Sequence, residues 1–299
     1  MRPPLALLLA ASALSACAGP SGAGRGSGAE TVSLRFAWPE GMRLRVFMRH
    51  EARRGDQPRR GALMQHLVVV EGRGDELWIS NRDFQAQGNE EDLEQNMRIS
   101  EALVQVVARD GAFRRAEGLD EGVAVVQPDS EADRARLRDT LARATAEDWE
   151  ATVGAWRGQS LAAGGMRRKQ VAASLPLVPA VPVRMSVEYG LEALVPCAEE
   201  ETERRCAALV YRGEPAASDQ ATAAARLREL LSHGEGAVEL EDFSARFEIT
   251  MVTDPATLIP KRMTSRQELR MRVRLGDGRV REVVERSEDE FRFEAEVVI

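Results

Sequence analysis

The residue types that most often perform covalent or metal chemistry are scarce in this sequence, which has three cysteines and three histidines among 299 residues. They are Cys17, Cys197, Cys206, His50, His66 and His233. A P-loop, an HExxH zinc motif and a dinucleotide-binding fingerprint are all missing from the sequence. The nearest approach to a serine-nucleophile elbow, at residues 158–162, lacks the second glycine. We therefore predict a non-enzymatic protein with no catalytic residue and no cofactor.

Two of the histidines lie where they could approach each other. His50 and His66 fall on neighbouring predicted strands, and imidazole nitrogens are common metal ligands. No carboxylate accompanies them in a register that would complete a metal site. We therefore interpret both as ordinary polar or partly buried residues and predict no metal site.

The segment that precedes Cys17 has the features of an export signal. Arg2 supplies a positive charge, and the apolar run from Leu5 to Leu14 is too short to span a bilayer as a helix. The sequence Leu14-Ser15-Ala16-Cys17 then resembles the lipobox of bacterial lipoproteins. The resemblance implies a signal peptide at residues 1–16, diacylglyceryl attachment to the Cys17 thiol, and acylation of the new amino terminus by a chain such as palmitate. The alternative is a secreted protein in which Cys17 is incidental.

The residues that follow Cys17 indicate a membrane tether. Residues 17–30 are rich in Gly, Ser and Ala, a composition that cannot bury apolar surface and behaves as a flexible linker. Two or three acyl chains anchor a protein stably, whereas one chain binds only marginally. In lipoproteins of the enterobacterial type, a residue other than Asp after the cysteine implies sorting to the outer membrane, and here it is Ala18. We therefore expect a lipid-anchored envelope protein on the outer membrane, facing the periplasm.

The remaining cysteines, Cys197 and Cys206, form an even pair in a chain predicted to be exported. Disulfides persist outside the cytosol, and the extended segments Val183–Leu194 and Ala207–Arg212 flank the pair. We predict a hairpin held near its tip by a disulfide, which on the loop-entropy relation contributes about 2–3 kcal/mol. A metal pair or a redox dithiol is less favoured because the spacing is not CxxC and no histidine lies nearby in the sequence.

The charge balance limits the partners. The formal net charge is −7, and the positive residues are nearly all arginines interleaved with Glu and Asp. An acidic chain with this mixed surface argues against a nucleic-acid partner. The expected partners are the membrane, through the anchor, and either other envelope proteins or an apolar ligand.

Apolar and polar residues alternate with period two along most of the chain, as is typical of antiparallel strands that cover a core on one side. The alternation predicts one hairpin around Pro39-Glu40-Gly41, a second between residues 63 and 84, and a third around Asp110-Gly111. In the second half it predicts strands at residues 238–252, 261–275, 279–286 and 291–299.

Two helical patterns interrupt the predicted strands, and a third is weaker. They run from Ser130 to about Trp156, from Ser218 to about His233, and from Asn89 to Ser100. Ser130 is a suitable N-cap. The predicted fold is α+β, a largely antiparallel curved β-sheet with two or three amphipathic helices packed on one face.

Trp149 and Trp156 both lie on the longest predicted helix. A helix that crosses a curved, one-sided sheet often encloses a cavity, so these two residues are candidate ligand-binding residues. The alternative is that both indoles anchor the core.

A proline-rich stretch, residues 175–182, divides the two halves of the pattern. Repeated proline disfavours a helix or a central strand, so we predict an extended connector there. The β-rich domain at residues 31–299 therefore has a possible subdomain boundary near residues 170–183. The alternative is an internal crossover within one domain.

The layout of the domain resembles that of uncharacterised envelope lipoproteins, in three features. These are the early turn Pro39-Glu40-Gly41, the proline-containing middle segment, and the late stretch Asp254-Pro255-Ala256-Thr257-Leu258-Ile259-Pro260. The expected architecture is also similar to Lol-type carriers, half-barrels with helices over a concave sheet. Two functions follow: an envelope protein with a non-enzymatic binding or structural role, or a carrier or sensor of a hydrophobic ligand or lipid in a cavity between sheet and helix.

Overall fold

An antiparallel sheet of eleven strands organises the computed structural model, which describes residues 30–88, 93–198, 203–232 and 238–296. The strands are β1 (Thr31–Ser33), β2 (Arg43–Arg54), β3 (Arg60–Arg73), β4 (Glu76–Gly88), β5 (Val104–Ala108), β6 (Phe113–Glu117), β7 (Ser160–Ala162), β8 (Gly165–Leu175), β9 (Val178–Pro196), β10 (Arg205–Pro215), β11 (Val238–Thr253), β12 (Pro260–Leu275) and β13 (Val280–Ala295). The helices are α1 (Leu93–Ala102), α2 (Leu119–Val126), α3 (Glu131–Trp149) and α4 (Gln220–Ser232).

The strand order joins the two halves of the chain. It runs β6-β5-β4-β3-β2-β13-β12-β11-β10-β9-β8, and every neighbouring pair is antiparallel. The last strand, β13, pairs with β2 and so connects the early hairpins to the late ones. β1 and β7 form a separate two-stranded sheet. The predicted class, a curved antiparallel sheet with helices, is confirmed.

The period-two pattern of the sequence gives the large sheet two unlike faces. Along β12, Leu269, Met271 and Val273 are buried, whereas the alternate positions Arg266, Arg270 and Arg272 are exposed. Successive side chains of a strand point to opposite sides, so each strand contributes one apolar row and one polar row. We call the side that carries Leu269 the core face and the side that carries Arg266 the open face.

Helices and the turn that joins β8 to β9 cover the core face. Ser130 caps α3, since its Oγ accepts a hydrogen bond from the Asp133 N–H at 3.1 Å. α4 packs Ala223 and Leu227, 0% and 3% exposed, into the same core. The turn between β8 and β9 curls over this face, because the Leu177 N–H donates to Gln267 Oε1 on β12 at 3.1 Å.

Several predicted elements are confirmed, and three are wrong. The hairpins β3–β4 and β5–β6 and the strands β11 and β12 lie where the alternation places them. The two strands predicted at residues 279–286 and 291–299 are instead one continuous strand, β13, over Val280–Ala295. The first predicted hairpin does not form, because β1 ends at Ser33 and pairs with β7. The proline-rich stretch is not a connector but the turn and start of a β8–β9 hairpin, in which Pro182 pairs with Ser174. The β9–β10 pairing ends at Met185, so Pro182 pairs only with β8, and the β8–β9 pairing itself shifts at residues 174 and 175. The prolines therefore lie where the strand ladder is incomplete.

Candidate functional site

The predicted anchor lies outside the described residues. Cys17, the segment predicted to be a signal peptide and most of the predicted tether belong to residues 1–29, of which the structure gives no account. In the part of the chain that the structure describes, no helix is long and apolar enough to cross a membrane.

The predicted disulfide is present in the structure. Cys197 and Cys206 are bonded, with their Cα atoms 4.9 Å apart, at the end of the β9–β10 hairpin where Pro196 pairs with Arg205. Both cysteines are buried. The bond therefore closes a short loop on the strand pair that the flanking sequence predicted.

Both tryptophans proposed as ligand-binding residues lie within the packed core. Trp149 and Trp156 are 2% and 1% exposed. Their indole N–H groups donate to the carbonyl oxygens of Gly111 and Ala151, each at 2.9 Å. The Trp156 ring also lies 6.0 Å from the Tyr211 ring, between centroids. In the described structure the space between α3 and the sheet is therefore occupied by the protein's own side chains. This arrangement agrees with the alternative interpretation, in which both indoles anchor the core.

The two histidines that the structure describes have separate surroundings. His66 stacks on Phe84 with ring centroids 4.6 Å apart, and burial lowers the pKa of His66 to about 4, so it is neutral at physiological pH. His50 Nδ1 instead lies 2.6 Å from Asp289 Oδ1. The pairing register places His66 opposite Val46 and not opposite His50. Among the described residues, no group of three or more His, Cys, Asp or Glu side chains could hold a metal ion, and His233 lies outside these residues.

The His50–Asp289 pair is deeply buried on the core face. The two residues are cross-strand partners on β2 and β13, and they are 5% and 0% exposed. Burial raises the pKa of Asp289, and the His50 hydrogen bond acts in the opposite direction. Asp289 Oδ2 has no hydrogen-bond partner in the described structure. The pair carries a large desolvation cost, and it lines none of the three hollows described below.

A second buried group of charges lies where α3 ends in a single π-helical turn at Glu150–Gly154. Burial raises the pKa of Glu147 to about 7 and that of Asp148 to about 6. Burial also raises the pKa of Glu150, whose Oε1 lies 3.7 Å from Lys169 Nζ. Acidic groups with shifted pKa values and π-helical turns both recur at functional sites. None of the three hollows described below is lined by these residues, so no substrate position accompanies them.

We expect Glu147→Gln to stabilise the protein above pH 7. The carboxyl titrates near 4.5 when unfolded and near 7 when folded, so the folded state gives up stability as the pH rises through this window. The full penalty is about 3 kcal/mol above pH 7 and vanishes below pH 4.5. Urea unfolding at pH 5 and pH 8 measures the difference. Glu131→Gln, at an exposed position of the same helix, is the control, and an equal effect at both pH values would contradict the prediction.

The open face carries a charged trough of about 850 Å³ that crosses β2 and β8 to β13. Its charged lining consists of seven arginines and six glutamates, namely Arg53, Arg59, Arg168, Arg212, Arg246, Arg266, Arg286, Glu51, Glu188, Glu214, Glu248, Glu268 and Glu288. Most of these charges are matched within the trough. Glu268, for example, pairs with Arg246 at 3.1 Å and Arg286 at 2.6 Å. Burial alone would raise its pKa, but the hydrogen bonds from Arg270 and Arg286 lower it to about 2.

A second hollow, which we call the amphipathic groove, has a volume of about 700 Å³. Its lining comprises residues 47–49, 63–65, 85–87, 262–264 and 290–292. Leu63 is 59% exposed, and Phe47 stands on the same face because Arg49, two residues further on, pairs with Leu63. Three arginines line the groove, Arg49, Arg262 and Arg292, against a single acid, Glu290. The groove therefore combines exposed Leu63 and half-buried Phe47 with three arginines, two of which are paired with the carboxylates of Glu51 and Glu294. A third hollow, of about 350 Å³, lies beside His66 and Phe84.

Sequence reasoning missed both the groove and the Asp289 pair. A signal for Asp289 exists, since the alternation of Phe291 and Phe293, extended backwards, puts Asp289 on the apolar side of its strand. The groove had no such signal, because its arginines come from β2, β12 and β13 and are adjacent only through the strand order.

The comparisons with known proteins include a structural likeness to lipovitellin. No protein-family model matches the chain, and no curated protein matches it. A solved structure of lipovitellin, described as lipid-protein interactions in lipovitellin, is similar with 10% sequence identity and a TM-score of 0.43. The likeness covers 86% of this chain and 25% of the lipovitellin chain, so the protein corresponds to about a quarter of that length. A likeness at this level does not define a shared family.

Proposed function

We propose that this protein is a lipid-anchored envelope protein that binds an apolar ligand in the amphipathic groove, as a carrier or sensor and not as an enzyme. The lipobox-like Leu14-Ser15-Ala16-Cys17 supports the anchor. The groove supports the binding role, because its volume is in the range of small-molecule sites. The ligand position differs from the one predicted from sequence, since the space beneath α3 is filled by Trp149 and Trp156.

Leu63 is the single observation that carries the proposal. Four large hydrophobic residues are exposed in the described structure, Leu63, Met166, Leu230 and Val280. Of these, Leu63 is the most exposed and alone lines one of the three hollows. An apolar side chain held inside a concave surface gains free energy when an apolar ligand covers it.

Binding of a single-chain amphiphile tests the proposal. We expect 1-monooleoylglycerol or oleate, below its critical micelle concentration, to bind the full chain carrying Cys17→Ser at one site. Leu63→Glu should weaken this binding at least about tenfold, because the carboxylate would be desolvated by the acyl chain. Val280→Glu, at an exposed position outside the groove, should leave binding unchanged. If neither amphiphile binds, or if Leu63→Glu binds as the parent does, the proposed function is wrong.

The anchor has its own test. We expect Cys17→Ser to abolish metabolic labelling with an acyl precursor and to release the protein from the membrane fraction, because it removes the thiol that carries the lipid. Ser15→Thr, which leaves the thiol in place, is the control for changes near the cleavage site. Retention of both acyl label and membrane association after Cys17→Ser would show that Cys17 is incidental.

A protein-binding role is the second candidate function, and the charged trough favours it. Its matched arginines and glutamates offer polar groups of both signs along seven strands. A photo-cross-linking residue at position 266 should then capture one protein in cells, whereas one at position 272, on the same strand outside the trough, should not. Equal capture at both positions would contradict this role.

A further inference from the structure

The amphipathic groove contains a cross-strand pair of like charges, as the charged trough does at Arg53 and Arg286. Arg262 on β12 and Arg292 on β13 are direct cross-strand partners, and both line the groove. Both side chains are exposed and stand on the open face. Two cations placed directly opposite on neighbouring strands destabilise a sheet, unless an anion lies between or beside them.

Of these two arginines, Arg292 has an ion-pair partner among the described residues and Arg262 does not. Arg292 Nε pairs with Glu294 Oε1 at 3.0 Å, and its guanidinium lies 4.9 Å from the centre of the Phe47 ring. Arg262 makes no ion pair with any residue that the structure describes. The groove therefore presents a free guanidinium beside one that is held in place against an aromatic ring.

The neighbouring trough provides an internal comparison. There, seven arginines face six glutamates, and the ion pairs neutralise most of them. In the groove, Arg49 pairs with Glu51 and Arg292 pairs with Glu294. Arg262 is thus the groove arginine that pairs with no carboxylate of the described residues, and the same groove holds exposed Leu63.

We propose that the amphipathic groove binds a single-chain anionic amphiphile, with its carboxylate or phosphate at Arg262 and Arg292 and its alkyl chain along Phe47 and Leu63. This inference rests on the proposed function and specifies the ligand class for the same site. A guanidinium binds an anionic oxygen pair with two parallel hydrogen bonds, and a second guanidinium across the strand pair supplies the remaining positive charge. The apolar side chains next to them account for the affinity for the chain.

Oleate and 1-monooleoylglycerol separate this inference from the proposed function, because they share the alkenyl chain and differ in head-group charge. With the full chain carrying Cys17→Ser, we expect oleate to bind at least about tenfold more tightly than the neutral lipid. Adding Arg262→Gln should weaken oleate binding about tenfold and leave monooleoylglycerol binding unchanged. Arg262→Lys should restore part of the loss, and raising the salt concentration should weaken oleate binding alone.

Arg272→Gln is the matched control, since Arg272 is exposed on the same strand and face but lies outside the groove. An unchanged melting temperature of each variant shows that the fold is retained. Equal binding of the two lipids, with no effect of Arg262→Gln, would overturn the anionic assignment and leave the proposed function standing. Failure of both lipids to bind would overturn the proposed function itself. Binding to anionic vesicles that Arg262→Gln abolishes, without binding of monomeric oleate, would assign the groove to a membrane surface and also overturn the inference.

Discussion

Replacing His50 with alanine is expected to destabilise the protein by about 3–5 kcal/mol. His50 Nδ1 is 2.6 Å from Asp289 Oδ1, and the Asp289 side chain is inaccessible to solvent. Its second oxygen already has no partner among the described residues. Removing the imidazole would therefore leave a buried carboxyl group with neither a counter-charge nor this hydrogen bond, which costs more than the lost bond itself. Urea denaturation at neutral pH measures the loss.

The double variant His50→Leu with Asp289→Leu is the informative control for this prediction. Removing both polar partners at once eliminates the desolvation cost, so the double variant should recover most of the stability lost in His50→Ala. With the single variants His50→Leu and Asp289→Leu, the double variant completes a double-mutant cycle, which should report a coupling of about 2 kcal/mol or more. A single variant within about 1 kcal/mol of the parent would mean that the pair contributes nothing specific.

Trp156→Ala is expected to cost about 3–5 kcal/mol, because it would open a cavity in the core. The indole is 1% exposed, packs against Tyr189 and Tyr211, and donates a hydrogen bond to the Ala151 carbonyl at 2.9 Å. The same change also removes the hydrogen bond from the indole N–H of Trp156 to Ala151, which lies in the π-helical turn, so this turn should become less stable. The melting temperature and the urea midpoint should both fall.

Trp156→Phe and Leu230→Ala separate the causes of this effect. The phenyl ring preserves most of the apolar volume but lacks the N–H group, so its cost should be well below that of alanine. Leu230 is 47% exposed on α4, and its truncation should change stability by no more than about 0.5 kcal/mol. A Trp156→Ala protein as stable as the parent would show that the core tolerates the cavity by collapse.

The strands that sequence reasoning located correctly are those with strong local signals. The β5–β6 hairpin has Asp110-Gly111 at its turn, where Gly111 has φ +83°, a backbone conformation that glycine adopts without strain. The start of α3 could also be predicted from the sequence, because a serine N-cap and an acidic residue three positions later interact locally. Such signals act within a few residues, so composition and spacing are enough to find them.

The errors in the fold came from interactions at long range. Residues 34–38 alternate like a strand, but Leu34 and Ala37 donate backbone hydrogen bonds to the carbonyls of Gln159 and Thr257. The proline-rich stretch looked like a connector, but β10 ends opposite Met185, which leaves Pro182 with β8 as its only paired strand. Gln159, Thr257 and the end of β10 all lie far from these residues in the sequence, so a local pattern does not predict these contacts.

The sequence by itself determined the one-sided character of the strands, the helix that begins after Ser130 and ends at Trp149, and the cysteine pair. These properties depend on residue type and short spacing, which fix apolar periodicity and the capacity for a disulfide. Only the tertiary structure decided that Trp149 and Trp156 fill the core, that Asp289 meets His50, and that Arg262 stands opposite Arg292. These relations follow from strand order and register, which bring β2 beside β13 although more than 200 residues separate His50 from Asp289 along the chain.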